Sequence, residues 1–220
     1  MPPDSAPSAG LPRSTLVTWL GLVVLGVAFL GFLALSNNPR RDYVGKDHPG
    51  AGRRLPGIDL LPLVGNGEPV TLESLEGKVV LMNLWGTWCG PCRREFPRLM
   101  KLEERLRGNP DFKFLSVSCG QESPESIPDL RLQTEAYAAE MGAKFPIYAD
   151  PFWQTRKAVA ATAYDSRGTM PTTVVLDRTG KVRGIWTGYA GGDERVMEEL
   201  VLELLSEGQT APSASGPSAT

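Results

Sequence analysis

Hydrophobic positions along the 220-residue chain fall into two regimes. The first is one unbroken stretch, Leu16–Leu35 (LVTWLGLVVLGVAFLGFLAL), which carries no charge and has no polar face. Its 20 residues, rising about 1.5 Å each, reach roughly 30 Å, the hydrocarbon thickness of a bilayer. The stretch predicts a single transmembrane helix. A cleaved signal peptide is the alternative, because Ala34-Leu35-Ser36 offers a small-x-small site. The apolar run is longer than the usual ~7–15-residue signal core, and only Arg13 precedes it as a basic residue, so an uncleaved anchor is favoured.

The second regime starts near residue 57, where short apolar runs alternate with helical spacings. Val79–Trp85 (VVLMNLW) is continuously apolar apart from Asn83, as a strand covered on both faces would be. Pro91–Leu106 places Phe96, Leu99, Met100 and Leu106 near helical spacing, with Gly108 as the stop. Phe112–Ser118 reads as a strand, Leu130–Met141 as a helix, Phe145–Tyr148 as a short strand and Phe152–Ala161 as a helix. Thr172–Asp177 and Val182–Thr187 flank Arg178-Thr179-Gly180-Lys181, a hairpin signal. Asp193 is placed to cap a last helix running to about Leu205. Strand–helix alternation followed by a hairpin and a helix predicts an α/β sandwich with a mixed sheet.

The remaining segments divide the chain. Residues 1–15 and 207–220 are rich in Pro, Ser, Ala and Gly and predict disordered tails. Residues 36–56 read as a linker, which leaves 57–206 as the folded body. Charge follows the same partition. The linker carries a balance of +3, whereas residues 57–220 have 17 basic and 22 acidic residues, a balance of −5. Whole-chain charge is −2, which argues against a general nucleic-acid binder. A single histidine, His48, excludes a multi-His metal centre within one chain. Three cysteines cannot staple a small disulfide scaffold.

Chemistry concentrates at Trp88-Cys89-Gly90-Pro91-Cys92. Zinc would want four ligands, and no second cysteine pair or histidine cluster exists. Haem attachment would want His after the second cysteine, where Arg93 stands. A redox pair between a buried strand and a helix remains, beside the blander possibility of a structural disulfide or inert thiols. At the helix start, unpaired N–H groups and the macrodipole favour a negative sulfur at Cys89. Pro91 falls where its missing N–H costs little, Gly90 keeps the approach to Cys89 open, and Cys92 lies within one turn, able to resolve an adduct on Cys89. Cys119 follows a predicted parallel strand, so its end faces the same sheet edge. It reads either as a third redox thiol or, more plainly, as a small apolar residue.

Four features together resemble the thioredoxin superfamily, in particular its membrane-anchored TlpA/ResA branch, over about residues 57–205. They are Asn-Leu-Trp-Gly-Thr (83–87) leading into WCGPC, Glu95 completing C-x-x-C-x-x-E, Met170-Pro171-Thr172-Thr173 before a strand, and a helix-bearing insertion after Phe112–Ser118. The resemblance implies a thioredoxin-like three-layer α/β/α sandwich with a mixed central sheet, plus the N-terminal transmembrane helix. It also implies a cis Met170–Pro171 bond packed against the cysteine pair, with the Met170 backbone free to pair with substrate. Trp88 would cover part of the thiol surface, and Trp85 would be core. Asn83 stands where thioredoxin has a buried aspartate. The resembling branch uses an acid one turn past the second cysteine, here Glu95, to take the Cys92 proton. A solvated glutamate is the plainer reading of that position.

These readings converge on a thiol–disulfide oxidoreductase that reduces protein disulfides, with Cys89 as nucleophile and Cys92 as resolving thiol. No cofactor or metal is expected. By resemblance the electron donor would be a membrane thiol carrier of the DsbD/CcdA type, and apocytochromes c would be a client class. The resemblance sets the body outside the cytoplasm, whereas Arg40, Arg41 and Lys46 after the apolar stretch favour the inside. Two other function classes stay open: a thiol peroxidase, although no Pro-x-x-x-Thr-x-x-Cys loop is present, and a metal-carrying or docking module without turnover.

Overall fold

The computed structural model describes Trp19 and residues 22–29, 44–121 and 126–207. The predicted 16–35 span therefore lies partly outside the described residues, and so do the predicted tails apart from Glu207. Residues 22–29 are helical, and among the described residues no helix is long and apolar enough to cross a membrane.

Seven strands form one sheet in the order β2-β1-β5-β4-β3-β6-β7. They are β1 (Asp59–Val64), β2 (Val70–Thr71), β3 (Val79–Trp85), β4 (Phe112–Ser118), β5 (Ile147–Ala149), β6 (Thr172–Leu176) and β7 (Val182–Thr187). β3, β4 and β5 are parallel, whereas β1, β6 and β7 pair antiparallel, so the sheet is mixed. Four helices cover it: α1 (Gly90–Leu106), α2 (Ile127–Met141), α3 (Gln154–Thr162) and α4 (Asp193–Glu207). The strand period of two sorts the layers. Val79, Leu81 and Trp85 face α1, α2 and α4, while Val80, Met82 and Leu84 face the layer that holds α3. The three-layer thioredoxin-like sandwich predicted from the sequence is what the chain adopts.

Several boundaries shift for local reasons. α2 begins at Ile127, because Pro128 sits in its first turn, where a missing N–H is harmless. β5 starts after Pro146, which cannot donate to a ladder. α3 starts at Gln154, because Trp153 takes a left-handed conformation at φ 59°. β1 and β2 are absent from the sequence reading.

The linker reading of 36–56 is corrected from residue 44 onward, where the chain packs onto the sheet. Gly45 bridges Ile185 and Arg54 bridges Lys181, so residues 44–55 form an arm along the outer edge of β7. The Gly52 N–H donates to Val182 O at 2.7 Å, and the Val182 N–H returns to Arg53 O at 2.8 Å. Leu55 and His48 are buried, and the Gly50 N–H donates to His48 Nδ1 at 3.0 Å. Glycine is required at position 50, where a Cβ would stand 2.3 Å from the Thr162 carbonyl oxygen.

Candidate active site

β3 ends at Trp85, and four residues later the chain enters α1 with Cys89 as the N-cap, its backbone extended at φ −91° and ψ 107°. Cys89 and Cys92 form a disulfide with their Cα atoms 5.2 Å apart. The Cys92 N–H donates to Cys89 Sγ at 3.3 Å, so the first sulfur already accepts one of the helix's otherwise unpaired donors. Both cysteines are buried, Cys89 at 5% exposure and Cys92 at 1%, so Cys89 is the nearer of the two to the surface. Gly90 is exposed and Pro91 half-buried at the mouth.

Two tryptophans take separate parts. Trp85 is fully buried, donates from Nε1 to Ser116 Oγ at 2.8 Å, and packs on Phe96 and Tyr137 beneath the disulfide. Trp88 is 44% exposed at the rim. Its Nε1 donates to the Cys119 carbonyl oxygen at 2.9 Å. Gly86 makes that possible, because a Cβ there would lie 2.4 Å from the indole nitrogen. Cys119 itself is fully buried on the opposite face of the sheet, its Sγ directed to Val117 O at 3.6 Å. It contributes its backbone to the site and its side chain to the core.

Glu95 is not a solvated first-turn acid; it is 1% exposed between α1 and the sheet. Asn83 on β3 donates from Nδ2 to Glu95 Oε2 and to Thr173 Oγ1, both at 2.8 Å. The Thr173 hydroxyl donates to Glu95 Oε1 at 3.4 Å. Burial pushes the Glu95 carboxyl up to about 8, against the pull of the Asn83 and Thr173 hydrogen bonds; Asp193 and Glu194 push it further in the same direction. The group is therefore poised to gain or lose a proton near neutral pH. Thr173 had no role assigned from the sequence. Its signal was strand alternation, since Thr173 pairs directly with Asn83 across β3 and β6 and must share its face.

Met170–Pro171 is a cis peptide bond, and Met170 packs against the cluster that holds both cysteines. The Gly188 N–H donates to Pro171 O at 2.7 Å, and the Thr172 hydroxyl to Thr169 O at 2.6 Å, which fixes the loop on either side. Among the described residues, the Met170 N–H and carbonyl take no hydrogen-bond partner. The fold thus gathers Trp88, Cys89, Gly90, Pro91, Cys92 and Glu95 on one helix start and brings Met170 to the sulfurs.

The chain matches the AhpC/TSA family model over residues 51–185. It is 31% identical over 167 residues to the thiol-disulfide oxidoreductase ResA of Geobacillus thermodenitrificans, covering 76% of this chain and 84% of that one. Against ResA of Bacillus subtilis the identity is 28% over 146 residues, with 66% and 72% covered. Among solved structures, a putative thiol:disulfide interchange protein DsbE from Chlorobium tepidum superposes with a TM-score of 0.55 at 27% identity, covering 70% of this chain and 97% of that one. A putative protein disulfide isomerase from Bacteroides thetaiotaomicron gives a TM-score of 0.60 at 25% identity, covering 76% and 96%.

Proposed function

The chain belongs to the AhpC/TSA family as a ResA-like, thioredoxin-fold thiol-disulfide oxidoreductase, and from that premise we propose that it reduces protein disulfides through Cys89 and Cys92. The observation that carries this reading is the pair itself: a cysteine at a helix N-cap, the more exposed of the two, bonded to one a turn further into the helix.

In the reduced protein, the Cys89 thiolate accepts the Cys92 N–H and faces the positive end of α1, which raises its population at neutral pH. It attacks one sulfur of a client disulfide. A new S–S bond forms, the client bond breaks, and the departing client sulfur takes up a proton. Glu95, as carboxylate, takes the proton of Cys92. The Cys92 thiolate then attacks Cys89 Sγ, which releases the second client thiol and leaves the Cys89–Cys92 disulfide. Two electrons pass from the protein to the client, and a dithiol donor must restore them. During the exchange the unpartnered Met170 backbone pairs with the extended client, and Trp88 and Pro171 wall the contact.

The anchor at 16–35 holds the domain on the outer face of a membrane, with a thiol carrier of the DsbD/CcdA type as donor. Apocytochromes c are the client class suggested by likeness to ResA and DsbE. A reporter fused after residue 206 and active only outside the cytoplasm tests the orientation. The chemistry is tested by Cys92→Ser, which accumulates mixed disulfides through Cys89 and names the clients it captures. Adducts absent from Cys92→Ser, under conditions in which wild type turns over, overturn the order of attack.

A further inference from the structure

Arg93 and Arg94 follow Cys92 directly, at the start of α1. A helix start disfavours cations and favours acids. α2 and α4 obey, with Asp129 in one first turn and Asp193 and Glu194 in the other, whereas neither α1 nor α3 has an acid there. In α1 the exception falls at the candidate site.

Several other arginines on the body are paired with acids. Arg98 meets Glu194 at 3.4 Å, Arg105 meets Glu198 at 2.6 Å and Arg183 meets Glu207 at 3.2 Å. Among the described residues neither Arg93 nor Arg94 meets a carboxylate.

Arg93 is held in another way. Its guanidinium lies over the Tyr137 ring, 5.2 Å from the centroid, and Tyr137 is wedged against Trp85 and Phe96. Pro97 has no N–H to offer the Arg93 carbonyl, and the Tyr137 hydroxyl donates to that carbonyl instead, through a long bond of 3.5 Å. An aromatic face fixes a cation without cancelling its charge. Arg93 stands one turn beyond Cys89, its N–H donating to Cys89 O at 3.1 Å. Arg94 leans back towards the helix start, with Nη1 4.0 Å from the place a Cβ on Gly90 would occupy. Two positive charges without a carboxylate partner therefore stand at the start of α1, beside the disulfide, on a body (57–206) whose balance is −4.

We propose that Arg93 and Arg94 select client disulfides flanked by carboxylates, so that the preferred substrates are acidic segments around a cystine. The proposal rests on the reading of Cys89 and Cys92 as an exchanging pair. A cation beside Cys89 also raises its thiolate fraction, but that acts on every substrate alike. The selective effect appears only in a ratio.

The test uses the reduced full-length chain and two synthetic peptides with the same internal disulfide, one flanked by Glu and one by Lys. Each rate is divided by the rate of dithiothreitol on the same peptide. Wild type reduces the Glu-flanked peptide about tenfold faster at low ionic strength, and the ratio falls towards one in about 1 M salt. Arg93→Gln/Arg94→Gln brings the ratio within about twofold of one, while Arg93→Lys/Arg94→Lys keeps most of it. A wild-type ratio at or below one, or a ratio that survives the double Gln variant, overturns the proposal. Uncharged hydroxyethyl disulfide separates the two levels. If wild type fails to reduce it, the oxidoreductase reading falls and the selection falls with it; if wild type reduces it and the peptide ratio is one, only the selection falls.

Discussion

Replacing Glu95 with Gln keeps the shape of the buried triad and removes its proton. The Gln amide oxygen can accept from Asn83 Nδ2, and its NH2 can donate to Thr173 Oγ1, in place of the bonds Glu95 makes. In the folded protein the carboxyl titrates at about 8 instead of at 4.5. Between those values the folded state holds a proton that the unfolded chain has released, so stability falls as pH rises. Each unit of difference corresponds to 1.36 kcal/mol, which sets a ceiling of about 5 kcal/mol on the loss across the window. The stabilising contribution is complete below pH 4.5 and gone above about pH 8. The assay is urea unfolding of the oxidised form of both proteins at intervals from about pH 5 to about pH 9, with the Gln curve subtracted from the wild-type curve. Subtraction removes every other titrating group, including His48, whose buried ring is held below its ordinary range. A difference that declines steadily with pH is expected. A flat difference refutes the placement of a neutral carboxyl in that pocket. In single-turnover reduction the Gln variant also slows resolution at least tenfold, in keeping with the worth of a positioned general base, and loses the pH dependence near 8.

Gly86→Ala forces the Trp88 indole off the Cys119 carbonyl, because the new Cβ would sit 2.4 Å from Nε1. Tryptophan fluorescence should change, stability should fall by about 1–2 kcal/mol, and client KM should rise with a smaller effect on kcat; unchanged emission and KM would contradict the role of this contact. Leu55→Ala should cost about 2–5 kcal/mol in thermal or urea unfolding, because Leu55, at the end of the arm, is only 3% exposed and packs into the core. A true linker residue would cost almost nothing.

The sandwich was legible because its central elements are long and strongly patterned. Val79–Trp85 is a nearly apolar run buried on both faces, Phe112–Ser118 is largely buried around Phe112, Phe114, Leu115 and Val117, and the 172–187 segment carries its own hairpin punctuation. β1 escaped because Pro62 interrupts it, and β2 is only two residues long. The arm at 44–55 was misread because Gly, Pro and Arg dominate its composition, while its hold on β7 comes from two separate bridges and a few buried side chains. Within the site, Cys89, Cys92 and Glu95 share one helix, so spacing alone brought them together. Thr173 is 90 residues from Asn83, and only the pairing of β6 with β3 reveals that the two touch. The free charge on Arg93 depends on Tyr137 from α2, which no spacing within α1 could announce.

One flank of the sheet ends in the two-residue β2, and the other is covered by the arm lying on β7. Extended chains are what a protein of this kind meets, and a bare flank would trap them by backbone pairing far from any sulfur. Covering β7 removes one such decoy. Under the proposed function, the open backbone at Met170 beside the sulfurs is then where a visiting strand would pair.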